Sequence, residues 1–105
     1  MGTSRRAKAL ALLGIAQRAG AIVKGTDAAR RALRKGDVRL LVLAEDGSKT
    51  QLGKVLPLAR AREVPWRTLG DRGELGAAVG SGPLTVVGVT GPSFAKQLRE
   101  SVERD

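Results

Sequence analysis

Two nearly continuous apolar runs constrain the fold of this chain most strongly. They are RLLVLAE at residues 39–45 and LTVVGVT at residues 84–90. Short runs rich in Leu and Val are typical of strands that are buried on both faces. Such strands need helices on both sides, and amphipathic segments lie before and after each run. We therefore predict an α/β fold, a three-layer α/β/α sandwich around a four-stranded mixed sheet.

Capping residues and glycines divide the rest of the chain into helices and two shorter strands, AIVK and PWRTL. Pro57 should kink or shorten the helix that contains it. No linker or repeat interrupts the pattern, so residues 1–105 are predicted to form a single domain. The predicted helices run from Ser4 to about Arg18, from a Thr26 cap to Gly36, over 48–62, from a capping box of Asp71 and Glu74, and from Pro92 onward. The first helix is predicted to bury a wide apolar face made of Leu10, Leu12, Leu13, Ile15, Ala16 and Ala19.

Positive charge is concentrated in the first third of the chain. The net charge is +9, and residues 1–35 carry nine basic residues and one acidic residue. The segment VKGTDAARRALRKG alone holds five basic residues and one acid. A field this uneven favours a polyanionic partner, although an ordinary solvated basic face remains the alternative.

The composition excludes several functional classes. With no cysteine and no histidine, the usual zinc sites, thiol nucleophiles and imidazole acid–base catalysis are ruled out, so we expect neither a metal nor a cofactor. No apolar run approaches the length of a membrane span, and the lack of cysteine fits a cytoplasmic protein. Only two aromatic residues are present, Trp66 and Phe94, which disfavours stacking on single strands and favours a folded RNA.

The second predicted helix presents charged residues opposite its apolar stripe. Asp27, Arg30, Arg31 and Arg34 are spaced as one helical face. An acid among basic residues is unusual for pure phosphate binding and more natural where base edges are read. The alternative is a solvated face on which Asp27 favours the helix dipole and pairs with Arg30 or Arg31.

Taken together, LLGIAQRAGAIVKGTDAARRALRKGDVRLLVLAED and VPWRTLGDRGELGAAVG resemble the ribosomal L7Ae/L30e superfamily, and within it the bacterial, YlxQ-type branch. The resemblance covers about Leu10 to Val89. It implies a small α/β/α sandwich protein that binds kink-turn RNA, acts as a monomer and is associated with the ribosome or translation.

The resemblance also implies an RNA-binding site. The family's Gly-Asn-Glu-x-x-Lys motif corresponds to Gly25, Thr26, Asp27 and Arg30, with none of the polar residues identical. Arg72 corresponds to a basic position that meets phosphate. The family's apolar loop corresponds here to Gly80-Ser81-Gly82-Pro83, which lacks a bulky apolar residue.

We therefore expect a non-enzymatic protein that binds structured RNA, either a kink-turn or ribosomal RNA, with the ribosome as a candidate partner and no membrane association. Two alternatives remain: an RNA binder of the same fold without kink-turn selectivity, and a basic module that meets an acidic protein of the translation machinery. The predicted RNA-binding residues are Lys24, Gly25, Thr26, Asp27, Arg30, Arg34, Lys49, Arg72, Gly80, Ser81 and Gly82.

Overall fold

The structure, a computed structural model, describes residues 4–102. Helices and strands alternate along this range, as the sequence predicted. No helix within it is long and apolar enough to span a membrane. The helices are α1 (Arg5–Arg18), α2 (Thr26–Lys35), α3 (Lys49–Ala61), α4 (Arg72–Ala78) and α5 (Pro92–Ser101), and the strands are β1 (Ile22–Lys24), β2 (Leu40–Leu43), β3 (Trp66–Thr68) and β4 (Val86–Val89).

The strands form one mixed sheet in the order β1-β4-β2-β3. Strand β4 runs antiparallel to both of its neighbours, with Val86 opposite Leu43 on β2. Strands β2 and β3 are parallel, with Leu41 opposite Trp66. A parallel pair needs a crossover connection, and α3 supplies it. The predicted four-stranded mixed sheet is therefore confirmed.

The two faces of the sheet support two separate hydrophobic clusters. On β2, Leu40 and Val42 pack with residues of α1, α4 and α5. Leu41 and Leu43 point to the other face and pack with residues of α2 and α3. Because both faces of this strand are buried, its sequence shows a continuous apolar run rather than an alternation. The three-layer α/β/α sandwich is confirmed.

The apolar face of α1 is narrower than predicted. Its buried positions include Ala9, Leu13 and Ala16, which recur at helical spacing. Ile15, which was expected on the buried face, is 48% exposed, and Ala19 is exposed as well. Both expectations were wrong because the neighbouring elements cover only one stripe of this helix.

Pro57 neither ends nor shortens α3, which continues to Ala61. Proline removes the hydrogen bond to the carbonyl four residues earlier, here that of Gly53. Both Gly53 and Pro57 are exposed, so water can solvate that carbonyl.

The topology gives the sheet two distinct ends. Strands β1, β2 and β3 stop, and β4 starts, at the end we call the upper end; α2, α3 and α4 all begin there. At the lower end β1, β2 and β3 start, β4 stops, and α2 and α3 finish. Residues distant in sequence therefore meet at the upper end, in the segments 24–30, 44–49, 69–74 and 80–85.

Candidate nucleic-acid interface

Backbone hydrogen bonds join the segments of the upper end. The N–H of Gly25 donates to the carbonyl of Val86 at 2.9 Å, which extends the β1–β4 pairing to the start of α2. The N–H of Leu84 donates to the carbonyl of Arg72 at 3.1 Å. These bonds fix the start of α2 relative to the start of α4 and the loop before β4. The predicted residues Gly25, Thr26, Asp27, Arg30, Lys49, Arg72, Gly80, Ser81 and Gly82 belong to the segments gathered there.

Gly25, rather than Thr26, is the N-cap of α2. Its backbone has φ of 89° and ψ of 166°, and no side chain caps this helix. Non-glycine residues avoid this conformation because the Cβ clashes with the backbone, so Gly25 is required for the turn itself. Thr26 is the first residue of α2 and is half-buried. The predicted Thr26 cap was therefore wrong, because the glycine conformation takes the cap position one residue earlier.

Asp27 and Arg30 lie on the first turns of α2. Asp27 is exposed and forms no ion pair within residues 4–102, so the suggested pairing with Arg30 or Arg31 is absent from the described chain. Arg30 is half-buried, and its Nε atom is buried without a hydrogen-bond partner in that same range. The Asp27 carboxylate is therefore available to an external partner, whereas the buried Nε of Arg30 becomes available only if its side chain moves.

Arg34 is separated from the other predicted residues. It lies in the last turn of α2, about 12 Å along the helix axis from Thr26 at the standard helical rise. It therefore belongs to the lower end of the sheet. By contrast, Lys24 is the exposed last residue of β1, and Lys49 is the exposed first residue of α3. These two lysines border the upper end.

Arg72 is paired with an acid that the sequence analysis did not assign to the site. Its backbone N–H donates to Asp46 Oδ1 at 2.8 Å, and its Nε lies 3.5 Å from Asp46 Oδ2. The backbone hydrogen bond, more than the charge of Arg72, lowers the pKa of Asp46 below its ordinary value. The available signal was the position of Asp46 directly after the apolar run at residues 39–45.

The loop before β4 lies directly on α4. The N–H of Ser81 donates to the carbonyl of Gly76 at 2.9 Å. A Cβ added to Gly76 would overlap the carbonyl oxygen of Gly82, so only glycine allows this approach. The loop ends in Leu84, which is half-buried and approaches the start of α2: its Cδ2 lies 4.0 Å from an ideal Cβ built on Gly25. Sequence reasoning counted Leu84 as strand, and so missed an apolar side chain at this site.

A charged network also borders the upper end. Arg6 on α1 donates to Glu45 at 2.7 Å and to Glu74 at 2.8 Å. Glu74 also accepts from the backbone N–H of Asp71 at 3.0 Å, completing the predicted capping box of α4. The charge of Glu45, and then that of Glu74, raises the pKa of Arg6. Among residues 4–102 no group of three acidic side chains is arranged to hold a metal ion.

The sequence matches a known protein family. Residues 7–99 match the model of the Ribosomal protein L7Ae/L30e/S12e/Gadd45 family. The chain belongs to this family. Curated relatives include the RNA-binding protein YlxQ of Bacillus subtilis, 34% identical over 83% of this chain and 87% of that protein. The RNA-binding protein YlxQ of Enterococcus faecium is 30% identical over 98% of this chain and 99% of its own length.

Solved structures show the same L7Ae-family fold. A protein of unknown function from Bacillus halodurans superposes with a TM-score of 0.87 at 30% identity, over 92% of this chain and 98% of that one. The Giardia lamblia 15.5kD RNA binding protein superposes with a TM-score of 0.78 at 22% identity, over 98% and 92% of the two chains. These matches confirm the predicted fold.

Membership of the L7Ae family confirms the predicted resemblance, which was drawn from weak motifs in a shared order. The chain is similar to the bacterial YlxQ-type branch of this family, whose curated members are named RNA-binding proteins. Those names support the expectation of a non-enzymatic RNA-binding protein.

Proposed function

We propose that this L7Ae-family protein binds structured RNA of the kink-turn type through the upper end of its sheet, with the start of α2 as the central contact. In this proposal the ribosome is the partner and the cytoplasm is the location. Residues 1–105 form one domain that acts as a monomer. The observation that carries the proposal is the meeting of separate segments. Backbone hydrogen bonds join the start of α2 to Val86, the first residue of β4, and join the 80–85 loop just before it to the start of α4.

Asp27 and Arg30 have complementary roles in this proposal. The exposed carboxylate of Asp27 accepts hydrogen bonds from base amino groups, which are donors at base edges. Arg30 lies one turn further along α2, and its guanidinium reads a guanine edge or bridges phosphates. Its buried Nε lacks a partner within residues 4–102, and leaving such a donor unsatisfied costs about 1–3 kcal/mol. Because that atom is buried, an RNA acceptor reaches it, and relieves the cost, only after the Arg30 side chain turns outward on binding.

The remaining upper-end residues supply charge and shape. Lys24 and Lys49 are exposed and contribute phosphate attraction from two sides. The side chain of Arg72 contacts phosphate, while its backbone N–H is fixed by a hydrogen bond to Asp46. Leu84, rather than the small residues Gly80 to Gly82, provides the apolar surface beside the start of α2.

A binding titration with three RNAs tests the proposal. One RNA is a standard kink-turn, one has the sheared G·A pairs replaced, and one is a plain duplex of equal length. We expect the kink-turn to bind at least tenfold more tightly than the other two, a difference of about 1.4 kcal/mol. Equal affinities that fall together as salt rises would reject kink-turn recognition.

Two neighbouring arginines provide a matched pair of variants. Arg30→Ala should cost about 1–3 kcal/mol on the kink-turn and reduce its preference over the G·A-replaced RNA. Arg31→Ala removes the same charge from an exposed position of α2 and should weaken all three RNAs alike. If both variants lose affinity equally on every RNA, Arg30 does not read bases.

A second candidate function is RNA binding without kink-turn selectivity. The substitution of Thr26 and Asp27 for the family's Asn and Glu supports it, because neither reproduces the hydrogen-bonding reach of the original residue. The same three-RNA titration separates the two functions, since this alternative predicts equal affinities for the kink-turn and G·A-replaced RNAs.

A further inference from the structure

Exposed basic residues that form no ion pair within residues 4–102 are concentrated at the lower end of the α2–α3 layer. Two helices finish there and strand β2 begins there. The nearby carboxylates are Asp37 and Glu63. We define the lower basic surface as the six exposed cations Arg31, Arg34, Lys35, Arg39, Arg60 and Arg62.

These cations differ from those of the upper end in their partners. All three ion pairs found within residues 4–102 involve Arg6 or Arg72, which belong to the upper end. In that same range no member of the lower basic surface forms an ion pair. Their charges are therefore open to an external anion.

Separate elements bring the cations of the lower basic surface together. Arg39, at the start of β2, and Arg62, just after α3, line the same cleft. Arg31 and Lys35 line a neighbouring cleft along α2. The guanidinium of Arg60 lies 5.6 Å from the ring centroid of Trp66, a cation–π contact that limits its movement. Four of the six cations are therefore brought together in pairs by two clefts.

Helix dipoles explain only part of this arrangement. Cations near a helix C-terminus are favourable, which accounts for Arg34 and Lys35 on α2 and for Arg60 on α3. It does not account for Arg31, in the middle of α2, or for Arg39, at the start of a strand. A phosphate backbone would use all of them together.

The row of basic residues along α2 favours an RNA duplex as the partner of the lower basic surface. The basic positions 30, 31, 34 and 35 form an unbroken series from the upper end to the lower end. Arg30 and Lys35 are separated by about 7.5 Å of helix axis. An RNA duplex that leaves a motif bound at the upper end can therefore keep its phosphates next to α2.

We propose that the lower basic surface holds the phosphate backbone of the duplex that flanks the RNA motif, giving the protein a second, sequence-independent RNA contact. This inference rests on the proposed function for the orientation of the RNA. It does not depend on base reading by Asp27 or Arg30, because phosphate contacts carry no sequence information.

The test compares stem lengths. The full chain is titrated with a kink-turn RNA whose stem is minimal, with the same RNA whose stem is longer by one helical turn, and with plain duplexes of both lengths. The longer stem should improve wild-type affinity at least tenfold at low salt. The triple variant R34Q/R39Q/R62Q should lose this gain, and the slope of log affinity against log salt should fall by about two to three.

A charge-matched control is available on the opposite layer. K8Q/K96Q/R99Q removes three exposed cations from α1 and α5 and should keep the stem-length gain. The thermal midpoints of the two triple variants should match each other, because all six side chains are exposed and each triple removes a cation from the last turn of a helix. If the lower-surface variant keeps the gain, or if both triples lose it equally, the second contact does not exist.

The plain duplexes separate this inference from the proposed function. If the wild-type protein fails to prefer the kink-turn but still gains affinity with duplex length through Arg34, Arg39 and Arg62, the proposed function fails and the lower basic surface stands. If kink-turn preference is present without any length gain, the lower basic surface is rejected and the proposed function stands.

Discussion

The upper and lower ends of the sheet carry charge in different ways. Of the carboxylates in residues 4–102, five lie at the upper end, and three of these, those of Glu45, Asp46 and Glu74, are engaged by arginines. In the same range, Asp37 and Glu63 are the carboxylates beside the clefts of the lower basic surface, and its cations have no ion-pair partner there. Reading base edges needs donors and acceptors held in fixed positions, whereas attracting phosphate needs only accessible cations.

The ends also differ in how their backbone is positioned. At the upper end, the Gly80–Leu84 loop rests on α4 through the close approach of Gly82 to Gly76, and it bonds to Arg72 through Leu84. At the lower end, α2 finishes in an ordinary left-handed cap at Gly36. Substitutions should therefore affect stability mainly at the upper end and RNA attraction mainly at the lower end.

The largest expected effect is that of Gly76→Ala. The new methyl group would overlap the Gly82 carbonyl, so the loop or α4 must move, at a cost of about 1–3 kcal/mol in the free energy of unfolding. Chemical denaturation measures this cost. The control is Gly53→Ala in α3, where no atom lies within 4 Å of the new Cβ; it should stabilise the protein by about 0.5–1 kcal/mol. If Gly76→Ala is as stable as the wild-type protein, the loop does not depend on this close packing.

A smaller effect should separate the two helix starts at the upper end. Asp71→Ala removes the side chain that caps α4 and should cost about 1 kcal/mol in the free energy of unfolding. Thr26→Ala should cost less than about 0.5 kcal/mol, because no side chain caps α2. A loss of RNA affinity in Thr26→Ala would then come from the interface rather than from unfolding. A cost for Thr26→Ala as large as that of Asp71→Ala would contradict the assignment of Gly25 as the cap.

Arg6→Ala should mainly affect the melting temperature, whereas Arg34→Ala should mainly affect RNA affinity. Arg6 contacts two carboxylates, so its removal should lower the melting temperature slightly, and more at low salt than at high salt. Arg34→Ala loses only a favourable interaction with the α2 dipole, so it should lower the melting temperature less than Arg6→Ala while reducing affinity for every RNA. Thermal melts at two salt concentrations, with matching duplex titrations, measure both. A salt-dependent fall in the melting temperature of Arg34→Ala as large as that of Arg6→Ala would reveal an ion pair at the lower end.

The smallest effect concerns the pH dependence of stability. Because the pKa of Asp46 is lowered in the folded protein, its contribution is fully present above the unfolded pKa, about 3.9. It is lost as pH falls through the folded value. Asp46→Asn should therefore lower stability slightly at neutral pH, where the carboxylate contributes, and flatten the acid side of the stability curve, so that the variant and the wild type converge below about pH 4. A side-chain titration followed by NMR would contradict this if Asp46 titrated at or above the ordinary value.

Much of the local structure could be predicted from the sequence. Ser4 caps α1 with a 3.0 Å bond to the Ala7 N–H, and Asp71 and Glu74 form the expected capping box. These signals are local, since the interacting groups lie within one helical turn. The predictions failed where local signals compete: the glycine conformation at Gly25 displaced the expected Thr26 cap.

The candidate site was only partly predictable. The resemblance to the L7Ae family identified the start of α2, Arg72 and the 80–82 loop as one site. The contacts of Arg72 with Asp46 and of Arg6 with Glu45 and Glu74 join residues 26 to 68 positions apart. No local pattern specifies such pairs, because they depend on which strands become neighbours.

The sequence by itself determined the order of the elements, the burial of β2 and β4 on both faces, and the concentration of basic residues along α2. These follow from local propensity and hydrophobic pattern, which act within a few residues. Only the tertiary structure decided that β4 inserts between β1 and β2. That insertion brings the start of α2 to the 80–85 loop and leaves Arg34 at the other end. The physical reason is that strand pairing is non-local: it is selected by the packing of whole layers and not by any single segment.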